Sequence, residues 1–402
     1  MAELWIRAGS GDALLHERVL RGPTEHRPSG LVLDAHAAAA TDRLASAARR
    51  AGAGCLVDPQ THYLQARQHE QDPWAQLPFA TCSPLEPAAL LDRTRLDLLV
   101  SECVDYQLRS GATAVIPPYV HIERADSGWL PVQLALWRAT RRFLDREGIQ
   151  LPVVAVVALG WRELDRSRWQ HGVRPLQLCL LHELRPDRVA LAASKVDAGV
   201  HPAQRLASFV AVLRQLRRRW QVLAWQQGAL GEAAVAAGAV GYECGVGWRE
   251  HCDLQTQMRS HANPRDPEGG GGGARPVYIS ALRTSLAKRS VELLLRDARV
   301  AAQLTCLDVA CCPRGSRTLL EDARAHAIAA RRSSLDILAR PQQPAWQWNI
   351  LAQGSAAGLE LAGRINRMAA HVDGISRVPT GALEATLALA DHRRQTLRRR
   401  AA

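Results

Sequence analysis

Two aspartates near the start of the chain stand where short apolar segments end. Asp34 follows residues 31–33, and Asp58 follows residues 55–57. Two carboxyl groups that meet in one pocket can divide the roles of nucleophile and of proton donor or acceptor. A single aspartate after a strand more often caps the next helix, by accepting hydrogen bonds from its backbone N–H groups. The pair therefore predicts either a polar reaction centre or two helix caps.

Further polar and aromatic residues follow other apolar segments, and they could bind a substrate. Trp161 and Trp225 could stack on nucleic-acid bases, although most tryptophans pack in protein cores. Two His/Glu pairs also stand after apolar segments, and imidazole with carboxylate could bind a metal. The candidate substrate-binding residues are Asp34, Tyr119, Trp161, Trp225 and Gln226, and the His/Glu pairs are His121 with Glu123 and His182 with Glu183.

Short apolar segments that alternate with longer amphipathic ones must position these residues. Helices are predicted over 92–109, 130–147, 203–219 and 230–237, and strands over 31–34, 55–58, 113–116, 153–158, 177–181, 221–225, 240–243 and 277–280. Residues 189–193 fit less cleanly, as an extra strand or a loop. Alternation with near-continuous apolar strands is typical of parallel β/α architecture. Eight such units predict a (β/α)8 TIM barrel, in which strand ends carry the site; a doubly wound open sheet is the alternative.

The expected domain organisation follows from composition. Residues 1–262 form the main part of the barrel, and residues 263–275 form a linker, because five consecutive glycines cannot pack. Residues 276–402 are expected to hold the last barrel strand and a helical region that contains cysteine and histidine.

The chain is basic, with 51 Lys+Arg against 39 Asp+Glu and a formal net charge of +12. Surplus positive charge favours a polyanion such as nucleic acid; the alternative is a solvated basic surface. No apolar run approaches the roughly 20 residues of a membrane span, and the N-terminus lacks the pattern of a signal peptide. Nine cysteines scattered over a long chain are more typical of a cytosolic protein with reduced thiols than of a disulfide scaffold. We therefore expect a cytoplasmic protein with no membrane partner.

The most informative stretch runs from residue 221 to residue 244. It predicts a strand, a turn, a short helix that ends at Gly238, and a second strand that ends in Glu243 and Cys244. This pattern resembles the stretch of tRNA-guanine transglycosylases that ends in the nucleophilic aspartate followed by cysteine. The resemblance implies that Glu243 attacks the anomeric carbon of a ribose. Glutamate in place of aspartate lengthens the arm by one methylene, about 1.5 Å.

A second match lies downstream of the glycine run. Cys306, Asp308 and Cys311 have the spacing of the family's Cys-x-Cys-x-x-Cys zinc motif, with aspartate in the middle position, and His326 follows. The resemblance implies that these four residues bind Zn²⁺, for which carboxylate is an accepted ligand. Cys312 is an alternative ligand. Without a metal, the cysteines would be buried thiols of a helical region.

A third match places Asp58 where the family has its acid/base aspartate. Over residues 30–332 the resemblance implies a base-exchange glycosyltransferase that replaces guanine or a modified guanine in tRNA or DNA, through a covalent glycosyl–carboxylate intermediate. A DNA-modifying relative that uses a 7-deazaguanine base is as compatible as a tRNA enzyme. The alternatives are a non-catalytic accessory barrel that binds nucleic acid, and a TIM-barrel oxidoreductase that uses flavin or a metal. A homodimer and a heteromer are both left open.

Overall fold

The computed structural model describes residues 2–38, 42–247, 249–262, 275–341 and 343–401. The predicted glycine-rich linker, residues 263–275, lies outside the described residues apart from Arg275. Within the described ranges, every helix is too short or too polar to cross a bilayer.

One parallel sheet of seven strands forms the centre of the molecule and has the curvature of a half-barrel. Its order is β3-β2-β1-β7-β6-β5-β4, and every neighbouring pair is parallel. Parallel pairing requires a crossover connection between successive strands. The strands are β1 (Glu3–Ala8), β2 (Gly30–Asp34), β3 (Gly54–Asp58), β4 (Val154–Gly160), β5 (Arg188–Ser194), β6 (Gln221–Trp225) and β7 (Gly241–Cys244).

A segment without regular strand pairing lies between the two edge strands of this sheet. The backbone N–H of Thr113 donates to the carbonyl of Cys55 on β3 at 2.7 Å. On the other side, the N–H of Val154 on β4 donates to the carbonyl of Val115 at 2.9 Å. Two consecutive prolines, at 117 and 118, lack the N–H groups that would continue the ladder. The predicted strand 113–116 is therefore a bridge of isolated hydrogen bonds.

Sixteen α-helices surround the sheet or follow it in the described part of the chain. The first ten are α1 (Ala13–Arg21), α2 (Ala35–Ala38), α3 (Asp42–Arg50), α4 (Pro87–Leu90), α5 (Arg93–Arg109), α6 (Trp129–Arg146), α7 (Val173–Cys179), α8 (Pro202–Leu216), α9 (Gly231–Ala237) and α10 (Leu254–Ser260). The C-terminal region holds α11 (Lys288–Leu294), α12 (Ala298–Leu304), α13 (Ser316–Glu321), α14 (Ala323–Ala339), α15 (Pro344–Ala369) and α16 (Gly381–Ala401).

One predicted strand is wrong, and another is a strand but does not belong to the main sheet. Residues 177–181 belong to α7 and the π-turn after it: Leu180 is buried, whereas Leu178 and Leu181 are 49% and 38% exposed, which is a helical pattern. Residues 277–279 form β8 (Val277–Ile279), which pairs antiparallel with β9 (Thr284–Leu286) outside the main sheet. In their place the main sheet contains β5, over the segment that fitted less cleanly, and β1, which the sequence did not predict.

The sheet buries an apolar cluster on the face opposite to the one that packs against α3, α9 and α14. Trp5 lies across its amino end, and a Cβ on Gly30 or Gly54 would lie 2.3 or 2.4 Å from the indole ring, so both strands need glycine there. The other members include Val32, Leu56, Val154, Val156, Ala190, Ala192, Leu223 and Trp225. Because side chains alternate along a strand, the next position facing the same way, two residues on, is Arg7 on β1, Asp34 on β2 and Asp58 on β3. A polar layer thus caps the apolar cluster at the carboxyl ends of the strands.

Candidate functional site

Arg7 is the centre of the polar layer. Its Nη1 donates to Asp34 Oδ1 at 2.6 Å and to Asp58 Oδ2 at 2.9 Å, and its Nε donates to Glu243 Oε1 at 2.9 Å. The strand order explains this arrangement, since β1 lies between β2 and β7, and Asp34 stands opposite Asp58 in the pairing of β2 with β3. One guanidinium therefore joins three carboxylates from three strands. We call these four residues the Arg7 cluster.

The Arg7 cluster is almost fully enclosed, because none of its four side chains is more than 7% exposed. A second guanidinium reaches it from the segment after β7: Arg249 Nη1 donates to Asp34 Oδ2 at 2.5 Å. Three carboxylates thus face two guanidiniums. Burial would raise the pKa of Asp34, but Arg249 and Arg7 outweigh it and hold that pKa well below the ordinary value. Asp34 is therefore a fixed negative charge.

Glu243 has a different environment within the same cluster. Its Oε2 accepts the backbone N–H of Gln226 at 2.9 Å and a longer bond from Arg7 Nη2 at 3.4 Å. Gln226 has φ 55, and this left-handed conformation, rare outside glycine, turns the chain sharply after β6. A carboxylate has about four acceptor positions, so one on Oε1 remains available. Burial raises the pKa of Glu243, and Arg7 offsets only part of this effect.

Asp58 is held on its other side by a phenol. Tyr119 Oη donates to Asp58 Oδ1 at 3.0 Å, and the backbone N–H of Gln60 donates to the same oxygen at 3.0 Å. Burial and the charge of Asp58 raise the pKa of Tyr119 well above the ordinary range, so the phenol remains a donor. The ring of Trp225 lies 5.3 Å from the Arg7 guanidinium. Tyr119, Trp225 and Gln226 are thus brought to the two candidate catalytic carboxylates.

Several buried polar atoms around the Arg7 cluster have no hydrogen-bond partner among the residues that the structure describes. They are both side-chain polar atoms of Gln60, both ring nitrogens of His62, the hydroxyl of Tyr63, and Gln226 Nε2. The His62 ring stacks on Tyr119 with the centroids 5.4 Å apart, and burial lowers its pKa well below 6.5, so it is neutral. Buried polar groups are normally hydrogen-bonded. Their concentration here indicates a place for ordered water or a polar ligand.

Trp161 lies at the carboxyl end of β4, outside the Arg7 cluster. The guanidiniums of Arg162 and Arg205 lie 4.7 and 3.8 Å from its ring centroid. This arrangement is a cation–π contact on a basic surface.

The two His/Glu pairs do not form one metal site. His121 Nε2 and Glu123 Oε2 are 3.8 Å apart, whereas Glu183 pairs with Arg138 on the outer helix α6. Among the described residues, the side chains placed to hold a metal ion form another group, which lies in the C-terminal region.

That group consists of Cys306, Cys311, Cys312 and His326, whose ligand atoms all lie within 4.8 Å of one another. The Sγ atoms of Cys311 and Cys312 are 3.8 Å apart, and each is 3.4 Å from His326 Nδ1. On a tetrahedral zinc with Zn–S of about 2.3 Å, two sulfurs lie about 3.8 Å apart and sulfur and nitrogen about 3.5 Å. His326 Nε2 is 3.1 Å from the carbonyl of Tyr278, which leaves Nδ1 free for a metal. The four residues could therefore hold a metal.

Asp308, which was predicted as a metal ligand, does not belong to this group. Its Oδ1 accepts the backbone N–H groups of Ala310 at 2.9 Å and Cys311 at 3.1 Å, and its Oδ2 is 3.0 Å from His26 Nε2. The carboxylate therefore shapes the turn that carries Cys311, and Cys312 takes the fourth position among the candidate metal ligands. We call Cys306, Cys311, Cys312 and His326 the thiol–imidazole group.

Sequence reasoning missed Arg7 and Arg249. The signal for Arg7 was a charge within an otherwise apolar segment, Trp5–Ile6–Arg7–Ala8, but nothing local shows that such a segment is buried on both faces. Arg249 lies in an irregular segment with no pattern of its own. In comparisons with known proteins, no protein-family model and no curated protein matches the chain.

Proposed function

We propose that the chain is a divergent (β/α)8 transglycosylase-like enzyme that exchanges a guanine-type base in a nucleic acid. The observation that carries the proposal is the Arg7 cluster, which gathers Asp34, Asp58 and Glu243 at the carboxyl ends of the strands. Catalytic groups of β/α barrels lie at this end. The bridge at residues 113–116 supports an eighth position in the proposed barrel wall, since it bonds to both edge strands of the sheet.

The exchange takes two displacements at one carbon. A Glu243 oxygen forms a bond to the sugar C1′ while the C1′–N bond to the outgoing base breaks, and its electron pair leaves with the base. Asp58 enters this step in its protonated form and donates its proton to that base. The incoming base then gives a proton to Asp58 and forms its bond to C1′, and the Glu243 oxygen leaves with the electron pair of the ester bond. The target base must first leave its stack.

The charge balance of the site suits this chemistry. A sugar that loses its base carries positive charge in the transition state. Once Asp58 has given its proton to the base, three carboxylates face two guanidiniums, Arg7 and Arg249, and leave one negative charge beside the sugar. The region is almost fully enclosed, and electrostatic stabilisation is strong in such a site. The amide of Gln60 and the Nε2 of Gln226, which have no partner among the described residues, supply donors and an acceptor for the edge of a base.

Zn²⁺ is the metal we propose for Cys306, Cys311, Cys312 and His326. Three thiolates and an imidazole are a soft donor set that favours zinc. Four protein ligands leave no open position, so the ion supplies a structural cross-link between the turn at 306–312 and α14.

One observation favours a second candidate, the non-catalytic accessory barrel. Glu243 has no exposed surface, and both of its oxygens are bonded to Arg7. In that function the Arg7 cluster stabilises the barrel, and the basic surface binds nucleic acid without exchange.

Incorporation of labelled guanine, or of a 7-deazaguanine base, into tRNA and into DNA separates the two candidates. The wild-type chain is expected to incorporate label into one of them. Glu243→Gln is expected to lower the rate of incorporation by at least about 10³-fold. Glu183→Gln, on the outer surface, is expected to keep the wild-type rate. Circular dichroism and the melting temperature verify that both variants fold. Binding of nucleic acid without incorporation by the wild-type chain would overturn the exchange and favour the accessory barrel.

A further inference from the structure

Three cations meet at the carboxyl ends of β4 and β5. Arg162 and Arg205 lie against the ring of Trp161, which directly follows β4. Lys195 directly follows β5, and its carbonyl accepts a hydrogen bond from Arg205 Nη1 at 2.9 Å. We call Trp161, Arg162, Lys195 and Arg205 the cationic rim.

The cations of the rim are only loosely neutralised. Arg162 Nη1 is 3.5 Å from Glu123 Oε1, and Lys195 Nζ is 3.7 Å from Asp253 Oδ1, both longer than a good charge-assisted hydrogen bond. Arg205 donates to backbone carbonyls, of residues 195 and 198. Burial and the charge of Arg162 lower the pKa of Arg205, so positive charge is crowded here. The third carboxylate of this region, Asp197, is paired with His251.

Two further features suit an anion. Helix α8, of 15 residues, begins at Pro202 beside the rim, and the N-terminus of a helix carries partial positive charge. A cavity of about 420 Å³ adjoins Lys195 and is also lined by His251, Asp253 and Arg283. Ligand cavities of proteins have volumes of roughly 300–1,000 Å³, so this one has room for a sugar–phosphate unit.

The rim and the Arg7 cluster occupy different parts of the same end of the sheet. The rim stands on β4 and β5, at one edge of the strand order, whereas Arg7, Asp34, Asp58 and Glu243 stand on β1, β2, β3 and β7. A ligand that reaches both must extend across the mouth. A nucleotide in a strand has this form, with its sugar at Glu243 and its flanking phosphates at the rim.

We infer that the cationic rim binds the phosphodiester backbone of a single nucleic-acid strand, with Trp161 as the residue that positions two of its guanidiniums. The inference depends on the proposed function for the class of substrate. The indole holds Arg162 and Arg205 before any ligand binds, so less side-chain entropy is lost on binding. Backbone contacts fix the position of the strand without reading its sequence.

Fluorescence anisotropy of a labelled 20-nucleotide oligonucleotide, at increasing salt, tests the rim directly. For a single strand, each phosphate contact contributes about 0.7 to the slope of log K against log salt. The double variant R162Q/K195Q removes two such contacts and is therefore expected to make the slope shallower, with its magnitude reduced by about 1.4. Trp161→Leu weakens binding although it changes no charge. The matched control is R174Q/R218Q, which removes the same charge from the outer groove between α7 and α8.

An unchanged slope in R162Q/K195Q, or a slope lowered equally by R174Q/R218Q, would overturn the inference. A mononucleotide that competes as well as an oligonucleotide would also overturn it, because the rim would then bind a single phosphate. Binding requires no base exchange. If R162Q/K195Q reduces the salt dependence of binding but the wild-type chain incorporates no base, the inference about the rim holds and the proposed enzyme is overturned. If the wild-type chain incorporates base but R162Q/K195Q leaves the salt dependence unchanged, the proposed enzyme holds and the inference about the rim is overturned.

Discussion

Replacing Arg7 with methionine tests whether its guanidinium stabilises the buried carboxylates. After Arg7→Met, Asp34 keeps Arg249, and Asp58 keeps Tyr119 and the Gln60 N–H, but Glu243 keeps only the Gln226 N–H. Removing one partner of a buried ion pair typically costs 3–5 kcal/mol, because a buried charge loses its compensation. We expect the free energy of unfolding to fall by about 3–5 kcal/mol near pH 8.

The loss is expected to depend on pH with a definite sign. Burial raises the pKa of Glu243 above its ordinary value of 4.5, and Arg7 opposes this effect. Without Arg7 the pKa in the folded state rises further, so the folded state destabilises as pH increases from about 4.5 through the new pKa. Each unit of additional shift corresponds to about 1.4 kcal/mol. The deficit of the variant is therefore smaller near pH 5 than near pH 8.

Urea denaturation of wild-type and Arg7→Met chains at both pH values measures these differences. The matched control is Arg18→Met, whose side chain is 61% exposed and pairs with Asp322; an exposed pair of this kind contributes at most about 1 kcal/mol. If Arg7→Met is as stable as Arg18→Met near pH 8, or if its deficit grows towards acid, Arg7 does not compensate buried ionised carboxylates.

Three further predictions concern other parts of the molecule. Purified chain is expected to contain one zinc per molecule by elemental mass spectrometry. We expect Cys312→Ser to reduce this zinc content and Asp308→Asn to leave it unchanged. The opposite pattern would identify Asp308 as the ligand. Gly54→Ala should destabilise the fold by about 1–3 kcal/mol in urea, because its Cβ would lie 2.4 Å from the Trp5 ring; unchanged stability would refute that packing. Tyr119→Phe should lower the free energy of unfolding in urea by about 1–3 kcal/mol, since Asp58 loses a buried donor. An unchanged free energy of unfolding would show that the phenol is dispensable.

Much of the sheet could be predicted from local pattern. Five strands were found because each is an apolar run between turn residues, as in Leu31–Val32–Leu33 before Asp34. The positions of Asp34 and Asp58 at strand ends also followed from the sequence, and the pairing of β2 with β3 places them side by side. Residues 177–181 misled because a short apolar run does not distinguish a strand from one face of a helix.

The contacts of the site could not be predicted in the same way. Arg7 is buried only because three other strands bring carboxylates to it, and a sequence does not show which strands are neighbours. The thiol–imidazole group depends on a turn: Asp308 accepts the N–H of Cys311, and the chain then presents Cys312 beside His326. Spacing alone favoured Asp308, because the motif that it resembles has a ligand at that position.

Mass spectrometry of a covalent adduct is the direct test of nucleophilic attack by Glu243. The chain is incubated with tRNA or DNA and a 7-deazaguanine base, denatured, digested with nuclease and protease, and searched for a glycosyl ester. We expect an adduct on the peptide that contains Glu243, absent from Glu243→Gln and from reactions without nucleic acid. An ester on another carboxylate, or base exchange by Glu243→Gln at the wild-type rate, would contradict it.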